Sequence, residues 1–472
     1  MKYNYSRLFF VLFFLGVVFS QAWSQTTVTG CAPDYAGSEL ILNSYSDPFT
    51  GSEKEISRCP VDKQGNFSLK FQIQETQSVF LHLGIYNCNL YVKPGVNYQV
   101  VLPSKKLKSP ADEVNPYFEE TTLALSARES DGDSLNAKIL AFDDRFYPCL
   151  NKFLLMKRGK TLFHSLDSAI LTLSVSFTPQ DTNYFENYVK YRIGLLRFLV
   201  FQHPARSTSD SLFLTRKILY HNTAYIELFN QVYDKYFLFF GRTKKGEKIY
   251  DDIGRDKSYA ELRQTLGSDL TLGNKALLEL VILKGLHDEF YGSNFSRSAL
   301  LNVLDSLRSS TQIEEHRSIA DHIRAKVTRL LPGFEPPPFT LYNADSTLVK
   351  LSDFKGKWVY LNFGVTMSYT CMKEDEILDR LEKKFKGQFK IVTVSFDDNF
   401  KTMRNYVKRK GYTWTFLYCG NQTSLLKEYN IRAFPTCYLI NPDGKLSISP
   451  APLPSENIEL TIFSAMRSRG DL

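Results

Sequence analysis

Apolar and polar positions alternate with a period of two from residue 25 to about residue 105. Ser38-Glu39-Leu40-Ile41-Leu42-Asn43-Ser44, Asn66-Phe67-Ser68-Leu69-Lys70-Phe71 and Ser78-Val79-Phe80-Leu81-His82-Leu83 read as half-buried strands, and Asn97-Tyr98-Gln99-Val100-Val101-Leu102 closes the run. Turn residues such as Lys63-Gln64-Gly65 and Pro94-Gly95 separate them. Short strands at that spacing predict a small antiparallel β-sandwich. From about 110 to 330 the period becomes helical. Stretches 184–201, 224–240, 275–291 and 298–307 are each amphipathic enough to pack, and Ser296 is a helix-start signal for the last. Asp133-Ser134-Leu135, Asp210-Ser211-Leu212 and Asp305-Ser306-Leu307 recur, and capping or turn chemistry accounts for the first two. His316 and His322 fall six apart on one predicted helix, a spacing that does not bring both to one metal, so they read as surface histidines.

Leu331-Pro332-Gly333-Phe334-Glu335-Pro336-Pro337-Pro338 has four prolines in eight residues, which stop a helix and favour an extended connector. Beyond it the pattern alternates. Strands are predicted at 357–363, 390–396, 414–418, 437–441 and 445–449, and helices at about 369–386, 400–410, 423–429 and 456–468. That order implies a mixed sheet with helices on its faces. The chain therefore reads as multidomain: a β-sandwich-like unit at 25–108, an α-helical segment at 109–331, a linker at 332–338 and an α/β unit at 339–472.

With 472 residues the chain is too long for one core, and 43% apolar residues suffice for several. The formal charge of +8, from 58 basic and 50 acidic residues, is weak over this length, and no dense Lys/Arg run points to nucleic acid. Residues 1–24 look like a secretory signal. Lys2 and Arg7 precede the apolar run Leu8 to Phe19, and Ala22-Trp23-Ser24 offers a cleavage site. A bilayer span wants about 20 apolar residues. After cleavage no spanning run remains, so the expected location is periplasmic, soluble or loosely membrane-associated.

Export changes the reading of the seven cysteines. Cys31, Cys59 and Cys88 share the β-rich stretch, so one structural disulfide is expected there. No spacing fits a metal site, and no cofactor is implied. Ser368-Tyr369-Thr370-Cys371 follows the apolar strand Trp358-Val359-Tyr360-Leu361-Asn362-Phe363 and opens a helix with Ile377, Leu378, Leu381 and Phe385 on one face.

Five pieces in this order resemble a known family. They are Phe339-Thr340-Leu341 with Leu351-Ser352-Asp353-Phe354-Lys355-Gly356-Lys357, Leu361-Asn362-Phe363, Lys373-Glu374, Ile431-Arg432-Ala433-Phe434-Pro435-Thr436 and Asn441-Pro442-Asp443-Gly444-Lys445. Together, over about 135 residues, the stretch resembles the exported TlpA/ResA-like branch of thioredoxin-fold thiol-disulfide oxidoreductases. The resemblance implies a thioredoxin fold, a protein or peptide thiol/disulfide partner, and a Cys-x-x-Cys where this chain has Ser368 and Cys371. It also implies a cis-proline at Pro435, with Tyr369, Thr370, Phe434 and Thr436 lining a substrate groove. Gly364 and Met367 stand where the family usually has tryptophans, and Tyr369-Thr370 replaces the usual Gly-Pro.

Dithiol exchange needs an exposed thiolate first and a buried resolving thiol second. A serine hydroxyl cannot attack a disulfide, although serine is a good helix N-cap. Three readings stay open. Cys371 does monothiol chemistry; or the groove binds peptide without reacting with it; or Ser368 and Cys371 form a Ser-x-x-Cys peroxide site resembling a peroxiredoxin, with Gly364 replacing that family's proline and Arg432 three residues from its arginine position. Glu374 and Asp397 are candidate proton carriers, with solvated carboxylates as the simpler reading. Cys419 and Cys437 read as small buried residues.

Overall fold

The computed structural model describes residues 25–113, 115, 117–156, 160–176, 183–201, 205–384, 389–420, 422 and 424–471. The expected signal segment, Phe385 and the start of the helix expected at 423–429 lie outside these residues.

The period-two stretch forms two sheets. Asn66–Phe71, Thr26–Cys31, Asn97–Val100 and Ala127–Glu129 lie side by side in one. Glu53–Pro60, Glu39–Tyr45, Gln77–Leu83, Tyr86–Val92 and Thr121–Ala124 form the other. Val28, Leu69 and Tyr98 of the first meet Leu40, Leu42, Leu81 and Leu90 of the second in a common core. The sandwich is not purely antiparallel. Thr26–Cys31 pairs in parallel with Asn97–Val100, and Tyr86–Val92 with Thr121–Ala124. Both pairs are joined by long excursions, which parallel pairing requires. β pairing continues as far as Glu129. The expected disulfide is not formed, and all seven cysteines are free. Cys31 sits opposite Asn66, Cys59 opposite Leu40 and Cys88 opposite Leu81, so no two sulfurs face each other.

Helices from Leu135–Leu155 to Glu314–Thr328 share a second core. The helix expected over 224–240 is two, Thr223–Val232 and Tyr236–Gly241, divided where Lys235 takes a φ of 49°. Lys275–Glu289 is buried on nearly every side, from Leu277 through Leu286, and is the central helix. His316 is not a surface residue. It is fully buried, 3.0 Å through Nδ1 from Glu279 Oε2 and 2.8 Å through Nε2 from the Tyr220 hydroxyl. The Thr311 hydroxyl donates to the same Glu279 oxygen, and Tyr259 donates to the other. Helical periodicity places His316 on the inner face, and Glu279 satisfies it there. His322 is partly buried, with Nδ1 3.6 Å from Asp47 Oδ2 of the β region. The repeated Asp-Ser-Leu triplets do not share a capping role. Ser134 precedes a helix but makes no side-chain cap, and Asp210-Ser211-Leu212 ends one.

The connector is extended but not free. Gly333 N donates to Leu446 O, Leu446 N donates to Phe334 O, and the Tyr429 hydroxyl donates to Pro337 O. The C-terminal elements follow as β1 (Thr340–Asn343), β2 (Leu348–Lys350), β3 (Trp358–Gly364), α1 (Tyr369–Lys384), β4 (Phe389–Ser395), α2 (Phe400–Lys410), β5 (Thr415–Tyr418), α3 (Ser424–Glu428), β6 (Thr436–Ile440), β7 (Leu446–Ala451) and α4 (Ile458–Arg469). The sheet order is β2-β1-β5-β4-β3-β6-β7. β3 and β4 are parallel, as are β4 and β5, while β6 runs antiparallel to β3. This is a thioredoxin fold. Every residue of β3 is buried, as a central strand covered on both faces requires.

Candidate active site

β3 ends at Gly364, and its C-terminal end delivers the loop that starts α1. Ser368 occupies the N-cap position of α1. Its carbonyl accepts from Met372 N at 2.9 Å, and its Oγ lies 3.5 Å from Cys371 N, at the long limit of a capping bond. Tyr369 and Thr370 therefore occupy the first turn, exposed, with Tyr369 71% accessible and Lys373 Nζ 5.7 Å from its ring centroid. Cys371 points inward and is 3% exposed. Cys371, Glu374, Asp375, Leu378 and Leu381 form the inner stripe of α1, at helical spacing. Gly364 keeps β3 close to this stripe: a Cβ there would come within 3.4 Å of Cys371 Sγ.

Burial pushes the Cys371 thiol up, and this outweighs hydrogen bonding from the Val365 backbone and the Ser368 side chain, which works the other way. The thiol is thus held protonated, the opposite of what an attacking sulfur needs. Cys437 and Cys419 are buried, and burial pushes both to about 12. Cys437 Sγ is 3.5 Å from Asn362 Oδ1 and Cys419 Sγ 3.3 Å from Gln422 O. Neither is bonded to Cys371.

The Phe434–Pro435 peptide bond is cis. Thr436 pairs with Phe363, which brings this loop beside the strand end that carries the Ser368 loop. The Phe434 ring packs 5.3 Å from that of Phe396, and the Thr436 hydroxyl donates to Ala433 O at 2.6 Å. Arg432 is turned elsewhere. Its Nε donates to Asn430 Oδ1, and its guanidinium lies 5.6 Å from the ring centroid of Tyr117.

Neither candidate carboxylate is solvated. Glu374 is buried and accepts from Ser455 N at 2.8 Å and Ser455 Oγ at 2.6 Å. Asp397 is buried and accepts from Thr366 N at 2.9 Å, Thr366 Oγ1 at 2.8 Å and Ser395 Oγ at 2.6 Å. These donors replace water, which is why both acids tolerate the interior. Glu374 thereby ties α1 to the segment before α4, and Asp397 fixes the loop between β3 and α1.

A third acid escaped sequence reasoning. Asp375, 3% exposed, accepts from the Tyr406 hydroxyl at 2.9 Å, while its Oδ1 has no partner among the described residues. Desolvation pushes it up to about 7, against the opposing bond from Tyr406. The signal was available, because Asp375 follows Cys371 by four and so shares its inward face. Among the described residues no group of three or more His, Cys, Asp or Glu is placed to hold a metal, and no helix is long and apolar enough to cross a membrane.

Residues 332–448 match the model of the AhpC/TSA family. Thiol-disulfide oxidoreductase ResA of Bacillus subtilis (strain 168) is 33% identical over 115 residues, which are 24% of this chain and 64% of that protein. The chain thus spans less than two thirds of that relative. ResA of Bacillus cereus (strain ATCC 10987 / NRS 248) is 31% identical over 124 residues, 26% of this chain and 70% of that protein. A crystal structure of the thioredoxin domain of a thiol-disulfide oxidoreductase from Bacteroides vulgatus shares 24% identity over 29% of this chain and 99% of that one, with a TM-score of 0.27. Through its C-terminal region this chain belongs to the ResA/TlpA-like family of thiol-disulfide oxidoreductases.

Proposed function

We propose that the C-terminal domain holds an extended polypeptide beside the Pro435 loop and does not exchange disulfides with it. The observation that carries this reading is the state of Cys371: buried, with its thiol pushed up, and with a serine, Ser368, three residues before it at the helix start. Ser368 stands where the family's first active-site cysteine is expected. Its oxygen lies at capping distance from Cys371 N, so replacing the thiol leaves the helix start intact. Tyr369, Thr370, Phe434, Pro435 and Thr436 then form a binding surface, and main-chain pairing to an extended segment supplies the affinity. At most, Cys371 does monothiol chemistry. The peroxide-reductase reading is weaker, because that chemistry needs a thiolate and Arg432 faces Asn430 and Tyr117 instead.

Titration of the native chain with iodoacetamide against pH, with Cys371→Ser as reference, tests the reading. Cys371 is expected to stay unmodified up to pH 9 while the fold is intact. Rapid alkylation at pH 7 would overturn it. Reduction of insulin disulfides should be absent in the wild type, with partial activity in Ser368→Cys. Hydrogen peroxide should leave no sulfenic acid on Cys371.

The charged and apolar order of residues 1–24 supports a further proposal, export to the periplasm with removal of that segment. Fractionation and N-terminal sequencing of the mature chain test it. A cytoplasmic protein that retains its first residues would refute it.

A further inference from the structure

Helix α2 has a basic outer face. Lys401, Arg404, Lys408 and Arg409 are all exposed, and among the described residues none of the four stands in an ion pair. Lys410, next in line, is 3.3 Å from Glu376 Oε1. The chain is only weakly basic as a whole, so four unneutralised cations within nine residues are a local feature.

This face borders a cleft of about 490 Å³ between α2 and the loop that carries Ser368. Thr366 and Met367 line one side, and Asn405, Lys408 and Arg409 the other. Among the described residues no acidic one lines it. Behind its walls Asp397 is buried and consumed by Thr366 and Ser395, and Asp375 is buried and accepts from the Tyr406 hydroxyl. The cleft therefore presents positive charge, an amide, the Thr402 and Tyr406 side chains and the apolar Met367, which is 74% exposed. Its neighbour two residues on is the exposed Tyr369.

We propose that this cleft docks an acidic, extended segment of a partner polypeptide, whose carboxylates meet Lys408 and Arg409 while an apolar side chain covers Met367. The proposal rests on the reading of the domain as a polypeptide holder and names the chemistry of what it holds. An anionic bilayer is the other surface that seeks basic helices. It is disfavoured here because Lys408 and Arg409 rim a recess with an amide at its wall, which suits a narrow chain better than a plane of headgroups. Cationic rims around a recess focus the field and speed the approach of an oppositely charged segment.

The test uses the full chain and a fluorescein-labelled decapeptide of alternating Glu and Asp with one central Trp, read by anisotropy. Its partner probe replaces every acid by Gln or Asn. Binding of the acidic peptide is expected, weakened about tenfold or more by Lys408→Glu with Arg409→Glu, and by an intermediate factor in the double Gln variant. Both sites are exposed, so the fold should survive, and the Gln pair guards against a folding artefact. Binding should also weaken as salt rises from about 0.05 to 0.5 M. Equal binding of the neutral peptide, or no change on charge reversal, would overturn the proposal. Sedimentation of the chain with phosphatidylglycerol vesicles, without peptide binding, would overturn it in favour of a membrane surface. Rapid alkylation of Cys371 would sink the non-exchanging reading and leave the docking result standing, so the two failures are separable.

Discussion

The helical region buries Glu279 and the C-terminal domain buries Asp375, and these two carboxylates are satisfied differently. In the first, Glu279 receives His316, Thr311 and Tyr259 on its two oxygens, and His316 is satisfied on its other nitrogen by Tyr220. In the second, Asp375 receives Tyr406 on one oxygen and, among the described residues, nothing on the other. The first carboxyl is held below the ordinary range despite desolvation, through its bonds to His316, Thr311 and Tyr259. The second is raised to about 7, because desolvation meets only one compensating bond. A closed network of donors makes a buried acid part of the scaffold. An open one leaves it able to change protonation near neutral pH, and it sits in the stripe that carries Cys371.

The sharpest way to break this contrast is to open the closed network. Glu279→Ala leaves His316 and two hydroxyls without their acceptor, and should lower the stability of the helical region by about 3–5 kcal/mol. Urea denaturation followed by far-UV circular dichroism reads it. A loss below 1 kcal/mol would show that water replaces the carboxylate and that the network is not closed.

Asp375→Asn should act in the opposite direction. The folded chain keeps a proton on Asp375 between about pH 3.8 and 7, which the unfolded chain has released. Its contribution therefore declines as pH rises through that interval and is fully adverse above about 7. The amide should stabilise the domain by about 2 kcal/mol at pH 8, have little effect at pH 4, and flatten the pH dependence between. Denaturation midpoints at the two pH values decide it. A destabilisation at pH 8 would mean the carboxylate is hydrated.

Tyr406→Phe sharpens the same comparison at smaller amplitude. It removes the one donor to Asp375, so the carboxyl should titrate higher still, with a loss of about 1 kcal/mol at pH 8. The carbonyl-region infrared band of the acid, followed against pH, would move alkaline. An unmoved band would detach Tyr406 from the titration. Smallest of all, Ser368→Ala should cost about 0.5–1 kcal/mol, the value of an N-cap, tempered here by the long contact to Cys371 N. A larger cost would mean that Ser368 bears on more than the helix start.

The inward Leu378 and Leu381 of α1 and the buried run of β3 were legible in sequence because each is a local pattern. Such patterns also set where Ser368 and Cys371 stand. What was not legible depended on distant partners. Glu374 and Asp397 look like solvated acids until Ser455 and Thr366 arrive from elsewhere in the chain. Helical spacing turns His316 inward, but its partners Glu279 and Tyr220 lie far off in the chain. Likewise, the parallel pairing of Thr26–Cys31 with Asn97–Val100 is set by residues far apart in the chain, and no short-range signal marks it. Asp375, like His316, is turned inward by helical spacing alone, so its burial could have been read from sequence.

The bonds between Leu446 and the pair Gly333 and Phe334 bear on how the C-terminal domain can be isolated. β7 is the outer strand of its sheet, and those residues occupy the start of its open side. A recombinant fragment begun at Phe339 would bare that side to pairing with other molecules, and would self-associate more readily than one begun at Leu331.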